Sequence, residues 1–264
     1  MSKTNIESNI VESIIGKTIN KQKSRIPAKL DFIQSATGII LSAFIMFHLI
    51  FESSILLGED SMYRLTKFFE GEFIIDGGSP IFIVALALII SSVFIAHALL
   101  AMRKFPSSYR EYMRFRTHAK LMNHTDTNLW FIQITTGIMI FFLGSIHLYT
   151  VMTQPENIGP FASSDRIYSD SMWIVYLMLL VTVVLHTGVG IYRLSMKWGW
   201  FDGKNPKKNR VVTKKIITTI TFFYLFIGLL SLMSYIKIGY EHQDKYGERY
   251  TLSSNTNTTN MEVK

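Results

Sequence analysis

The chain has 264 residues, is 48% hydrophobic, carries a formal net charge of +8 and contains no cysteine. The missing thiols exclude disulfides, thiolate-held iron–sulfur clusters, thiolate zinc sites and c-type haem attachment. No glycine-rich phosphate loop follows a strand, which argues against dinucleotide or ATP binding in this chain.

In chain order, the first 30 residues are polar and basic, with Lys17, Lys21, Lys23 and Arg25 and no apolar core of a signal peptide, so no cleavable leader is expected. Five apolar stretches follow, at 36–58, 80–102, 129–152, 172–196 and 216–238. Each is long enough for a bilayer core, which takes roughly 20 residues at about 1.5 Å each. They predict an all-α integral membrane bundle of five transmembrane helices, a single domain over residues 1–250. The segment RKFPSSYREYMRFRTHAK, Arg103 to Lys120, mixes cations with Phe and Tyr, as an interfacial anchor or the docking surface for a soluble subunit does. WGWF at Trp198 to Phe201 matches an interfacial aromatic belt. The polar tail 251–264 is expected to be disordered.

Of the 27 Lys and Arg residues, 20 lie before the first stretch, in the loops after the second and fourth, or at Arg193 in the last turn of the fourth. This bias predicts a cytoplasmic N-terminus and an outer, periplasmic C-terminus. Positive-inside topology thereby accounts for the basic excess, and no nucleic-acid partner is expected.

One histidine lies in each of the first four stretches, His48, His97, His147 and His186, while His118, His124 and His242 lie in loops or the tail. Ionisable groups at membrane depth are costly and mark functional sites. Counted from the cytoplasmic side, His97 and His186 lie about 5 and 10 residues deep, His48 and His147 about 12 and 18, so two layers roughly 10 Å apart result. Imidazoles on facing helices suit the axial positions of haem iron, whereas zinc wants three or four ligands converging at one depth. The prediction is two b haems, an inner one on His97 and His186 and an outer one on His48 and His147. Gly144 and Gly190, on the ligands' faces, leave room for a macrocycle, although small residues also serve ordinary helix packing. Gln34, Ser35, Trp130 and Lys197, near the cytoplasmic ends of the helices, and Arg166 on the outer side are candidates to anchor haem propionates.

The segments KSRIPAKLDFIQSATG, IAHALLAMRKFP, FFLGSIHLY, MTQPENIGP and IYRLSMKWGWFDG together span most of the chain. They resemble the dihaem cytochrome b subunits of epsilonproteobacterial menaquinol:fumarate reductases, within the succinate:quinone oxidoreductases. The resemblance implies a bacterial cytoplasmic (inner) membrane location, with flavoprotein and iron–sulfur subunits docked on the cytoplasmic side. It also implies electron flow from menaquinol through outer and inner haem to fumarate. It carries the four histidines over as axial ligands, Gln34, Ser35, Trp130 and Lys197 as propionate contacts, and Glu70 as the carboxylate that accepts protons from menaquinol. The family has a glutamate two residues before the fourth histidine, thought to return protons across the membrane; here that position is Val184. Water with Thr182 or Thr187 is the substitute route to consider. The alternatives are the same subunit in a succinate:menaquinone reductase, the haem b anchor of a hydrogenase or formate dehydrogenase, and a transporter or passive anchor without cofactor.

Overall fold

The computed structural model describes residues 24–106, 108–122 and 125–252; His124 and most of the tail 251–264 lie outside them. Among the described residues eight α-helices run in order: α1 Ile26–Glu52, α2 Glu59–Phe69, α3 Ile81–Met102, α4 Tyr109–Met122, α5 Thr125–Thr153, α6 Pro160–Tyr168, α7 Trp173–Trp198 and α8 Pro206–Glu241. Short 3₁₀ turns cover Ser53–Leu57 and Gln243–Lys245. There is no strand among the described residues. Five of these helices, α1, α3, α5, α7 and α8, are long and apolar enough to cross a bilayer.

Their starts differ most from the apolar stretches at two places. Helix α1 begins at Ile26, with Pro27 in its first turn, and α8 begins at Pro206, where the Asn205 side chain accepts a hydrogen bond from the Lys208 amide at 3.3 Å. Proline in a first turn gives up no intrahelical bond, and asparagine caps the orphan amides behind it. Hydropathy measures the path through lipid, whereas these caps decide where the helix starts, so both helices extend beyond the membrane as polar turns.

Consecutive helices α1, α3, α5 and α7 pack in sequence, and α7 closes back on α1, making a four-helix ring. Helix α8 lies outside the ring against α7 and α1. Small residues allow that approach: the position a Cβ would take on Gly188 falls among the atoms of Thr221, and on Gly228 among those of Leu180. The outer faces carry Leu88, Ile89, Phe222 and Phe226, all exposed and available to lipid. At the end of the ring that carries Glu52, a cap of α2, α6 and the 3₁₀ turns packs on α8 around Ile55, Met62, Ile167, Leu232 and Tyr235.

The tightest point of that cap is Gly239, where an added Cβ would sit 2.5 Å from the Ser164 carbonyl oxygen and 2.6 Å from Tyr168 Cβ. Gly239→Ala should therefore lower stability by roughly 1–3 kcal/mol, the usual cost of overpacking. The check is the thermal unfolding midpoint of the detergent-solubilised protein; an unchanged midpoint would contradict this packing.

Candidate functional site: a histidine-lined cavity

The ring encloses a cavity of about 1290 Å³, larger than an ordinary small-molecule pocket. His48 of α1, His97 of α3, His147 of α5 and His186 of α7 all line it. The rings of His48 and His147 are neighbours, with centroids 6.0 Å apart and planes inclined at 51°. His147 Nδ1 is buried without a hydrogen-bond partner, and Tyr176 meets the same ring edge-on at 5.7 Å.

The other two rings have different surroundings. His97 Nδ1 lies 3.1 Å from Thr37 Oγ1, and His186 Nδ1 lies 3.2 Å from Thr136 Oγ1 and 3.1 Å from the Gln133 carbonyl oxygen. Glycines make room for both: a Cβ on Gly38 would stand 3.1 Å from His97 Cε1, and one on Gly137 the same distance from His186 Cε1. Gly144 and Gly190 line the cavity as expected, but the glycines that press against histidines are Gly38 and Gly137. The close approach is across helices, which counting along the ligand's own helix does not reveal.

Gln34, Ser35, Trp130 and Lys197 line the same cavity at the end where α1 begins. Lys197 Nζ is within 3.4 Å of Ser35 Oγ and of Asp31 Oδ2, and Ser35 Oγ donates to the Asp31 carbonyl at 2.8 Å. Gln34 Oε1 is buried and has no partner, and Trp130 packs against Phe115 with ring centroids 4.2 Å apart. Asp31, which sequence reasoning missed, is the hub here. Its carboxylate pairs with Arg103 at 2.6 Å, Lys104 at 2.9 Å and Lys197 at 3.4 Å. A lone acid in a basic segment was the available signal.

At the opposite end the cavity is lined by Arg166, Tyr176, Tyr235 and Glu52. Arg166 donates to the Asn157 carbonyl, and Tyr235 donates to Glu52 Oε2 at 3.0 Å. Glu52 follows His48 by one helical turn on the same face and was not singled out from sequence.

Glu70 is buried, whereas its neighbour Glu72 is exposed. The difference comes from the loop after α2, which turns through Gly71 and Gly78 at positive φ and brings Gly78 against the Glu70 side chain. Glu70 Oε2 pairs with Lys67 Nζ at 2.7 Å, and the carboxylate's hydrogen bond raises the Lys67 ammonium above its ordinary pKa. Glu70 does not line the histidine cavity. It lines an adjoining one of about 320 Å³, with Tyr63, Lys67, Glu156, Arg249 and Tyr250, and Thr66 and Ile158 border both. Val184 is buried and does not line the histidine cavity; Thr187 does, and the Thr182 hydroxyl donates to its own helix at 2.7 Å. His242 is buried against Phe161 and bonds Asp165 at 3.1 Å, away from the cavity.

Fold and site together define a multi-span helical membrane protein built round a histidine-lined interior. Residues 109–229 match the succinate dehydrogenase/fumarate reductase transmembrane subunit family. The chain is 53% identical over 235 residues to the fumarate reductase cytochrome b subunit of Wolinella succinogenes, covering 89% of this chain and 92% of that protein. It is 44% identical over 238 residues to the proteins of the same name from two strains of Helicobacter pylori, covering 90% of this chain and 92% of each. The chain belongs to the succinate dehydrogenase/fumarate reductase transmembrane subunit family.

The Asp31 hub gives a test of the basic end. Asp31→Asn leaves Arg103, Lys104 and Lys197 without their shared carboxylate. These groups are partly exposed, so water and salt screen them and the loss should be only about 1 kcal/mol, larger at low ionic strength. Thermal unfolding of the solubilised protein at two salt concentrations measures it; a loss independent of salt would contradict an ionic origin.

Proposed function

We propose that this chain is the membrane anchor and electron-transfer subunit of a quinol:fumarate reductase. It oxidises menaquinol near the outer membrane face and serves an iron–sulfur and a flavoprotein subunit on the cytoplasmic side, where the fumarate site lies. Two b haems held in the cavity supply one-electron carriers between the two-electron chemistries of quinol and fumarate.

The observation that carries this reading is that four histidines from four helices line one cavity of about 1290 Å³. Two iron–nitrogen bonds of about 2 Å between facing imidazoles, plus half of each ring, come to about 6 Å. The His48 and His147 centroids stand 6.0 Å apart, so the donor set fits a bis-imidazole iron. The buried, unpartnered Gln34 Oε1 and His147 Nδ1 belong to a polar lining made for something other than lipid. On this reading His48 and His147 hold the outer haem, His97 and His186 the inner one. Gln34, Ser35, Trp130 and Lys197 serve propionates at the basic end, with Arg166 at the other.

Oxidising a quinol releases two protons, which a base within hydrogen-bond reach must take. Glu70 has that role in this reading: it is a buried side chain in a small cavity adjoining the outer end of the histidine cavity, with its Oε2 against Lys67 Nζ. Lys67 orients the carboxylate, and the Gly71 and Gly78 turns keep it out of bulk water.

A second reading, succinate oxidation by menaquinone in the same complex, is favoured by Val184. Moving two electrons inward against roughly 150 mV costs about 7 kcal/mol unless protons accompany them. Valine carries no proton, and this one is buried off the cavity.

The test is a reduced-minus-oxidised spectrum and haem count on the purified complex, with two haems per chain expected and one remaining in His147→Ala. No haem band in the wild-type complex overturns the proposal. Glu70→Gln should abolish quinol oxidation while haem content and dye-driven fumarate reduction stay at wild-type levels. Retained quinol oxidation in that variant removes Glu70 from the role.

A further inference from the structure

Residues 32–39 of α1 and 131–138 of α5 share the pattern F-I-Q-x-x-T-G-I, and in both helices a histidine, His48 or His147, follows ten residues after the glycine. Each copy sets its Thr-Gly step against the histidine of the next ring helix: Thr37 and Gly38 against His97 of α3, Thr136 and Gly137 against His186 of α7. The repeat makes the two contacts one device used twice.

A threonine hydroxyl has a single hydrogen. Thr37 directs it into its own helix, to the carbonyls of Ile33 at 2.9 Å and Gln34 at 3.1 Å. Thr136 does the same, to Ile132 at 2.6 Å and Gln133 at 3.3 Å. Toward the imidazole, each oxygen can then only accept. At His186 the second neighbour of Nδ1 is the Gln133 carbonyl oxygen, which is an acceptor by nature. The Gln133 carbonyl at His186, and the Gln34 backbone at His97, take the Nδ1 hydrogen, which leaves the lone pair on Nε2 of both rings. The Gln133 side-chain nitrogen lies 3.1 Å from His186 Nε2, on the lone pair that iron would take, so this side chain must turn aside when haem binds. Among the described residues, His147 has no such arrangement, since its Nδ1 is without a partner.

We infer that Thr37 and Thr136 are positioning residues that add an acceptor to the Nδ1–H of His97 and His186 and so make this pair a more electron-rich ligand set. The inference rests on the haem reading above. An Nδ1–H donating to oxygen raises the basicity of Nε2 and so favours the ferric over the ferrous ion. Removing the hydroxyl should thus raise the midpoint potential of the haem those rings bind. Because both threonines act on ligands of the same haem, both should act on the same transition.

The experiment is a redox titration of the whole purified complex followed in the visible spectrum, with haem counted in parallel. Thr37→Val and Thr136→Val should each shift the same one of two midpoints to more positive potential, the double variant should shift it further, and the other midpoint should stay put. Thr37→Ser and Thr136→Ser, which keep the hydroxyl, should restore the wild-type value. Should a valine variant not accumulate, the alanine variant at that position carries the same expectation without the branched side chain. Two haems with both midpoints unchanged in the hydroxyl-less variants, or a shift in the negative direction, overturn the inference. A wild-type complex without haem instead overturns the reading beneath it, so the two failures are distinguishable.

Discussion

An imidazole inside an apolar helix bundle is stable only when its two nitrogens find partners, because bilayer and packed side chains offer none. Four such rings in one chain set the terms for everything around them. The bundle cannot close into a dry core at their level. It opens into a ring of α1, α3, α5 and α7 round a shared cavity, and α8, which has no histidine within its apolar part, is left to pack outside. Even α8 is shaped by this arrangement: Gly188 and Gly228 let it lie close on α7 so that the ring faces stay turned inward.

The two ends of the cavity are chemically unlike, and the difference follows from chain direction. Helix α1 starts, and α3 and α7 finish, at the basic end, so Asp31, Arg103, Lys104 and Lys197 meet there in one ionic cluster. At the other end, α1 finishes in Glu52 and the loops fold over it as a cap with buried Glu70, Asp165 and His242. The cavity thus has a cluster of cations at one mouth and, at the other, Glu52 and Arg166 beneath the cap.

The five membrane helices were legible because bilayer thickness dictates an apolar length, and the sequence shows five runs of that length. The starts of α1 and α8 were not, since Pro27, Asn205 and Pro206 act through capping rather than hydropathy. The four histidines stood out as lone ionisable groups in apolar runs. Thr37 and Thr136 did not, because threonines in membrane helices routinely bond the carbonyl four residues back, as Thr150 and Thr182 do here, and only the repeat of α1 in α5 distinguishes them. Glu70 could be separated from Glu72 only by resemblance; the physical difference is the turn at Gly71 and Gly78, a tertiary feature with no local signature strong enough to read. Glu52 was readable as a carboxylate one turn beyond His48, but its place opposite Tyr235 comes from the packing of α8, which no local pattern specifies.

The central claim is that this cavity holds two iron centres, each between one particular pair of histidines. Anomalous diffraction at the iron edge from crystals of the complex tests it directly. Apart from any iron carried by subunits that purify with it, two peaks are predicted within this chain, one between His48 and His147 and the other between His97 and His186. A single peak, or iron bridging His48 and His186, would contradict the account.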